Sequence, residues 1–366
     1  MKNLARLRKH LQQQRGATII IVALTITVLL GFAALAVDIG YMMVAKNELQ
    51  NVADGAALAA TSQLGHVYGS LSYQEQLAYV CDSGTIIPVA QETALQNKAA
   101  GVNISINSSD IIIGQWDGST KTLTPTLNQP DAVRVTARRD SQANSPITTF
   151  LAKILSIDSV AVSATATAAL TGESTAGPGG LPVPFGISKA WFEPDFASRC
   201  NQPIRFYPTN DPSSCAGWHV YDRYDHLSDR NLRDTLTDLK DGTYTSPEVI
   251  VGDTAPFEFG SGTMSTQTFD AMEALFNARR VLNDGVIDDD TDSTTWTTTV
   301  VVYDKPDCGP TNGPIPIVGF ATIVITGVQG PPLKQIDGRV LCNRLETGRG
   351  SGGSYGTKGT IPGLVQ

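Results

Sequence analysis

The chain has 366 residues, of which 17% are charged, and its net charge of −8 is unevenly distributed. Five basic residues and no acid lie within residues 1–15, which leaves −13 for the rest of the chain. This acidic body argues against a nucleic-acid-binding protein, because such proteins gain most of their affinity from basic contacts to phosphate. The length is sufficient for two domains, and the low charge suits an exported, β-rich protein better than a cytosolic enzyme.

The first predicted element is a membrane-spanning helix at 17–37. Its sequence, ATIIIVALTITVLLGFAALAV, has 21 residues and no charge. At helical rise it reaches roughly 30 Å, the thickness of one hydrocarbon core. The span follows the basic segment 1–16 directly, so the positive-inside tendency predicts a cytoplasmic N-terminus and an external body.

A cleavage site within this span is an alternative. Ala34-Leu35-Ala36 fits the small-x-small pattern of signal peptidase, which would cut before Val37. However, the apolar run is longer than the 7–15 residues typical of a cleaved signal, and the helical pattern continues through the site. We therefore expect the anchor to be retained.

The helical pattern does not end at the membrane. Apolar residues recur at spacings of 4, 4, 3, 4 and 3 along the next segment, at Tyr41, Ala45, Leu49, Val52, Ala56 and Ala59. No proline interrupts residues 17–64. The sequence predicts one rod, half in lipid and half projecting outward.

This region resembles a known family. Arg15-Gly16-Ala17, the apolar span, Asp38 with Gly40, and the alanine-rich helix containing Ala53-Asp54 are similar to the N-terminal region of TadG-like proteins (the TadE/TadG-like family). These belong to the tight-adherence (Flp) pilus systems of bacteria. The resemblance implies a single-pass inner-membrane protein of pilus assembly or secretion, with a periplasmic or extracellular body. It implies no enzymatic activity and no cofactor, and its partners would be the membrane and other Tad/Flp components.

A related class of subunits, the pilins, carries a glutamate at the fifth position after a glycine cleavage site. Cleavage after Gly16 would place Ile21 there. In the fibre of such pilins that glutamate pairs with a neighbouring N-terminal amine. Its absence favours an assembly accessory over a fibre subunit.

Four polar residues on the rod are candidate helix contacts: Asp38, Glu48, Gln50 and Asp54. A rod of this kind needs no charge in order to be a helix, so these side chains indicate contacts with other elements or partners. The alternative is that they only solubilise an exposed face.

The predicted fold class is α+β: the long transmembrane helix continues into a pilin-like helix-plus-antiparallel-sheet module at 38–170. Residues 65–88 read as a loop and Ala90–Ala100 as a short helix. Alternating strands follow at 101–106, 110–118, 121–127 and 131–139, then a helix opened by Pro146 at 145–155, then a strand at 158–170.

A linker is predicted at 171–182 from its Gly, Pro and Ser content. A β-rich distal domain follows at 183–347, with one helix at Thr266–Asn283 and strands in EVIVGD, TTWTTTVVVYD and PIVGFATIVITGV. The glycine-rich end, 348–366, is predicted to be a flexible tail.

The five cysteines predict disulfides in an exported chain. The four candidates are Cys200, Cys215, Cys308 and Cys342, and proximity favours the pairs 200–215 and 308–342 among three pairings. Cys81 remains as a buried free thiol or an intermolecular bridge.

Metal and catalytic motifs are incomplete. In NDGVIDDDTD, Asp288, Asp290 and Asp292 match the first positions of a calcium loop, but Ser293 and Thr299 replace the glycine and glutamate that shape and close it. His219 and His226 lie near aspartates, yet no Gly-x-Ser-x-Gly or HExxH motif accompanies them. We predict no metal, cofactor or catalytic site.

The predicted function is therefore a membrane-anchored, non-enzymatic scaffold or pilus anchor. A minor pilin or adhesin exported with the fibre is the first alternative, and an anchored periplasmic calcium-binding protein or enzyme is the second. A homo-oligomer is left open.

Overall fold

The computed structural model describes residues 2–193, 199, 201–207, 214–252, 257–282, 294–342, 344–350, 352–353 and 355–365. Within these ranges the α-helices are α1 Lys2–Gly69, α2 Tyr73–Ala78, α3 Ser83–Leu95, α4 Asp229–Asp241 and α5 Thr266–Leu282. The five basic side chains before Gly16 and the acidic run at 283–292 lie outside the described side chains.

In the described residues every strand comes after the long helix. They are β1 Lys98–Ala99, β2 Val102–Asn103, β3 Ile111–Asp117, β4 Thr122–Pro125, β5 Ala132–Arg139, β6 Ile147–Thr148, β7 Ser159–Val160, β8 Val162–Ala169, β9 Thr175–Ala176, β10 Phe185–Ser188, β11 Pro203–Tyr207, β12 Ala216–Trp218, β13 Val249–Ile250, β14 Phe257–Gly260, β15 Trp296–Tyr303, β16 Asn312–Ile315, β17 Ile317–Gln329, β18 Gln335–Val340, β19 Arg344–Arg349, β20 Thr357–Ile361 and β21 Gly363–Leu364. The predicted α+β class is confirmed.

The chain forms two compact units, and neither is one continuous segment. The first consists of residues 1–56, 90–111 and 135–166, and the second contains the remaining residues. The predicted linker at 171–182 is therefore not the boundary between the two units, because residues 57–89 and 112–134 belong to the same unit as the C-terminal part.

The continuous helix predicted from the sequence is α1, which has 68 residues. Up to Val37 its described side chains are mostly exposed and apolar. In the first unit its later part buries Ala45, Leu49, Val52 and Ala53. These positions recur at three- and four-residue spacing, so they share one face of the helix.

The larger sheet, in the second unit, has eight strands in the order β11-β18-β17-β15-β10-β12-β14-β16. Its β10–β15 pairing is parallel, whereas β15–β17 and β17–β18 are antiparallel. The core of this unit contains the buried aromatic residues Phe185, Phe257, Phe259 and Phe320, and helices α4 and α5 pack against each other.

The predicted loop at 65–88 is wrong. The helix α1 continues to Gly69, and Ser72 then opens α2 with a capping box, in which Ser72 and Glu75 each accept the other's backbone N–H. Asp82 accepts the N–H of Gly84 at the start of α3, which retains Pro88 in its second turn. Local side-chain caps therefore outweigh the Gly, Ser and Pro signals that suggested a loop.

Within the second unit, α2 contacts the β-rich part of the chain. The Tyr73 hydroxyl donates to the Cys342 carbonyl at 2.9 Å, and the Leu345 N–H donates to Gln76 Oε1 at 3.1 Å. Tyr73 also packs with Val324 and Leu341. These contacts explain why this early segment belongs to the second unit.

The predicted flexible tail at 348–366 is also wrong. Strand β20 pairs in parallel with β19, and β21 pairs with β8 at the edge of a five-stranded sheet of order β21-β8-β5-β3-β4. Lys358 forms an ion pair with Asp131 at 2.7 Å. The glycines permit close approach: a Cβ at Gly352 would lie 2.0 Å from the Glu173 carbonyl oxygen. Here glycine indicates backbone packing and not flexibility.

Candidate functional site

The junction between the apolar span and the outer part of α1 is the candidate functional site. Asp38 lies there, with only 3% of its surface exposed. Its carboxylate accepts the backbone N–H groups of Phe150 at 2.8 Å, Leu151 at 2.9 Å and Ala152 at 2.6 Å. These residues lead into a 3₁₀ helix at Ala152–Leu155. Asp38 therefore fixes a distant loop to the helix where the apolar span ends.

This geometry corrects the predicted helix at 145–155. The segment instead contains β6, a bend and the short 3₁₀ helix, followed by β7. In an α-helix the N–H groups of Phe150 to Ala152 would donate to carbonyl groups of that helix or to its capping residue. Asp38 takes them instead, and Thr149 pairs with Asp158 across the loop.

Glu48 and Gln50 also contact elements of their own unit. Glu48 Oε2 accepts the Ala100 N–H at 2.7 Å, in the turn between β1 and β2, where Ala100 has a φ of 50°. Gln50 Nε2 donates to Asp54 Oδ1 at 2.7 Å and to the Thr165 carbonyl at 3.3 Å. The four candidate residues thus attach α1 to strands and turns of the first unit or to each other, and a role toward a partner protein stays a prediction.

An apolar cavity lies beside Asp38. It has a volume of about 340 Å³ and is lined on the helix by Leu35, Ile39 and Met42 and on the loop side by Ala152 and Ile157. Because its lining is almost wholly apolar, it can accept a hydrocarbon group but offers little recognition of a polar ligand.

The predicted disulfide pairs are wrong. Cys215 is bonded to Cys308, 93 residues later in the sequence, so neither the 200–215 nor the 308–342 pair can form. Cys342 is also disulfide-bonded, and Cys200 lies outside the described residues. Proximity in sequence failed as a guide because Cys215 precedes β12 and Cys308 follows β15, and β10 pairs with both of these strands. Cys81 is a buried free thiol.

His219 is a residue of the aromatic core. Its ring centroid lies 4.6 Å from Tyr221, 4.9 Å from Phe257 and 5.3 Å from Phe259. Burial lowers its pKa to about 3, so the imidazole is neutral and enclosed at neutral pH. Asp229, one of the nearby aspartates in the sequence, lies in the first turn of α4 and accepts the Ser265 N–H at 2.9 Å.

Among the described residues, no group of three or more His, Cys, Asp or Glu side chains is placed to hold a metal ion. The acidic run that suggested calcium falls outside those residues. Helix α1 is long and apolar enough to cross a membrane. The mean hydropathy of its most apolar window is 2.8.

Comparison with known proteins identifies two segments. Residues 16–63 match a family model described as Flp pilus-assembly TadE/G-like, which covers the apolar span and the outer part of α1. Residues 80–168 match a second model, described as Tad-like Flp pilus-assembly. No curated protein and no solved structure matches the chain. The resemblance drawn from the sequence is confirmed for these two segments, which are similar to TadE/G-like and Tad-like models of Flp pilus assembly.

Proposed function

We propose that the chain is a single-pass inner-membrane protein that acts as a scaffold or anchor for assembly of an Flp-type pilus. In this proposal residues 1–16 are cytoplasmic, and the body lies in the periplasm or outside the cell. The protein acts by binding and makes or breaks no bond.

The observation that carries the proposal is the continuity of α1. One helix of 68 residues joins an exposed apolar segment to a segment that is packed into a folded body. A flexible joint at Asp38 would let the body move freely relative to the membrane. The three N–H bonds to Asp38 instead hold the first unit to the helix at that point. A rigid connection of this kind suits a protein that positions other components above a membrane.

A second candidate function is a minor pilin that leaves with the fibre. It is favoured by the exposed apolar half of α1, since a fibre core could cover this surface as well as lipid could. The absence of glutamate at the fifth position after Gly16, where Ile21 stands, disfavours it.

Shearing of cells distinguishes the two candidates. We expect full-length protein in the inner-membrane fraction, with an intact mass that includes residues 1–16. A chain shortened at Gly16 or Ala36 and recovered with the sheared fibres would refute the anchor. For orientation, alkaline phosphatase fused after Gln366 should be active, and an inactive fusion would place the body in the cytoplasm.

The contact role of the outer helix is tested separately. We expect Glu48→Ala to weaken recovery of other pilus components with the tagged chain, because the 98–103 hairpin loses the acceptor that fixes its turn. Asn47→Ala, at an exposed neighbouring position, is the matched control. Unchanged assembly and unchanged recovery with Glu48→Ala would remove Glu48 from the partner surface.

A further inference from the structure

The loop at residues 149–158 presents apolar side chains outward beside the membrane span. Ile154 is 81% exposed, the highest value among the exposed large hydrophobic side chains of the described residues, and Phe150 is 61% exposed. Leu151 and Ile157 are also exposed. A soluble loop normally carries polar side chains at such positions, so this patch indicates a surface that is covered in the working protein.

The patch lies at the level of the end of the span. Ile157 and Ala152 line the apolar cavity together with Leu35 and Ile39 of α1. The Phe150 ring contacts Tyr41, with centroids 5.2 Å apart. The exposed surface is therefore continuous with the apolar surface of the helix, and whatever solvent surrounds Leu35 also reaches the loop.

Most backbone N–H groups of the loop are hydrogen-bonded, as an apolar medium requires. Seven N–H groups between Thr149 and Ile157 have acceptors: three donate to Asp38 and four to carbonyl groups within the loop. In lipid an unpaired backbone polar group is strongly unfavourable, so irregular segments enter only where such groups are satisfied. Asp38 thus supplies three of the acceptors that this loop needs.

The same bonds shield the only charge on the apolar part of α1. Between Arg15 and Lys46 the sequence contains no charged residue except Asp38, which is buried by the loop. Beyond it, Ile39, Met43 and Val44 are again apolar and exposed. Apart from Asp38, the uncharged stretch therefore runs from Gly16 to Val44, ~44 Å at helical rise, which matches a bilayer with its headgroup regions.

Two cations border this surface. Lys153 lies on the loop and Lys46 on the helix, and both are exposed. Lysine side chains near the end of a span extend toward the lipid headgroups while their methylene stems remain in apolar surroundings. Their positions fit the phosphate level of the outer leaflet.

We propose that the 149–158 loop is a second membrane contact, inserted into the outer leaflet at the boundary between headgroups and acyl chains. Its occupant is the lipid of the same bilayer that α1 spans. The proposal rests on the membrane anchoring proposed above. It extends that function by fixing the tilt and rotation of the first unit on the membrane, which a lone helix leaves free.

Spin labels on the full-length chain in phospholipid nanodiscs test this directly. In a Cys81→Ala background, single variants Ile154→Cys and Phe150→Cys carry the label on the loop. Leu24→Cys reports the span, and Ser141→Cys reports an exposed turn of the first unit. The background without an added cysteine must take up no label. Collision with oxygen, which concentrates in lipid, is compared with collision with a water-soluble nickel chelate.

We expect oxygen collisions to exceed nickel collisions at residues 154, 150 and 24, and the reverse at 141. If Leu24 reports lipid while both loop labels report water, the loop insertion is refuted and the anchor stands. If Leu24 also reports water, the anchor itself is refuted. Strong spin–spin broadening at residue 154 would mean that a second copy covers the patch, which also overturns the proposal.

Discussion

The buried acid Glu173 makes the stability of the second unit dependent on pH. Glu173 is 4% exposed, and burial raises its pKa to about 8, with a smaller contribution from the nearby charge of Glu346. Its surroundings leave little room for rearrangement, since a Cβ at Gly348 would lie 2.1 Å from Glu173 Oε1. At neutral pH the folded protein therefore holds this carboxyl mostly in its protonated form.

The direction of the effect follows from proton binding. Between the ordinary glutamate pKa of 4.5 and the folded value of about 8, the folded state holds a proton that the unfolded state has lost. Stability from Glu173 is therefore fully present below pH 4.5 and is lost as the pH rises through 8. At 1.36 kcal/mol per pH unit the whole effect is about 5 kcal/mol, of which about 4 kcal/mol falls between pH 5 and pH 9.

Urea unfolding of the full chain in detergent micelles, followed by tryptophan fluorescence at pH 5, 7 and 9, measures this loss. Glu173→Gln keeps the shape and removes the titration, so we expect its free energy of unfolding to vary less with pH than that of the native chain, by about 4 kcal/mol. Glu92→Gln, at an exposed position, is the matched control. Equal pH dependence in the native chain and Glu173→Gln would refute the reasoning.

Three further outcomes are expected. Leu49→Ala, at a fully buried position of α1, should lower the free energy of unfolding by about 2–5 kcal/mol. Asn47→Ala, at an exposed position, should leave it unchanged. Equal effects of the two variants in urea unfolding would contradict the burial of Leu49. Cys308→Ser opens the bond to Cys215 across 93 residues and should cost ~4.7 kcal/mol in the chain-entropy model, and an unchanged urea midpoint would count against it. The ring of His219, whose pKa burial lowers to about 3, should show no protonation shift in NMR spectra from pH 8 to pH 5.

Long, regular elements were predictable from the sequence. The unbroken rod, the helix α5 and the strands β15 and β17 all appear near their expected positions, because a sustained period of 3.6 or 2 residues depends only on local order. The helix α4 could also have been found. Ser228 caps its first turn, Gly242 ends it with a φ of 72°, and Leu232, Leu236 and Leu239 share its buried face.

Elements that depend on distant partners were not predictable. The segment ITTFLAKIL has the apolar content of a helix, and nothing local shows that Asp38 will accept its N–H groups. The glycine-rich end has the composition of a tail, and only the free edge of β8 explains why β21 pairs there. The disulfide between Cys215 and Cys308 likewise depends on strands that come together only in the folded sheet.

Asp38 shows that the end of the membrane span depends on contacts that the local sequence does not reveal. Its charge is the reason that the sequence places the end of the span at Val37, since a carboxylate in lipid is costly. In the structure that cost is reduced, because three N–H groups surround the carboxylate and the loop covers it. If the loop enters the outer leaflet as proposed, the helix and the loop both contact lipid at the membrane boundary. The hydrogen bonds to Asp38 then hold the loop to the helix there. On that basis Asp38→Ala should release the loop labels at residues 150 and 154 into water while the Leu24 label stays in lipid. Loop labels that remain at lipid depth in Asp38→Ala would show that the apolar side chains alone hold the loop there.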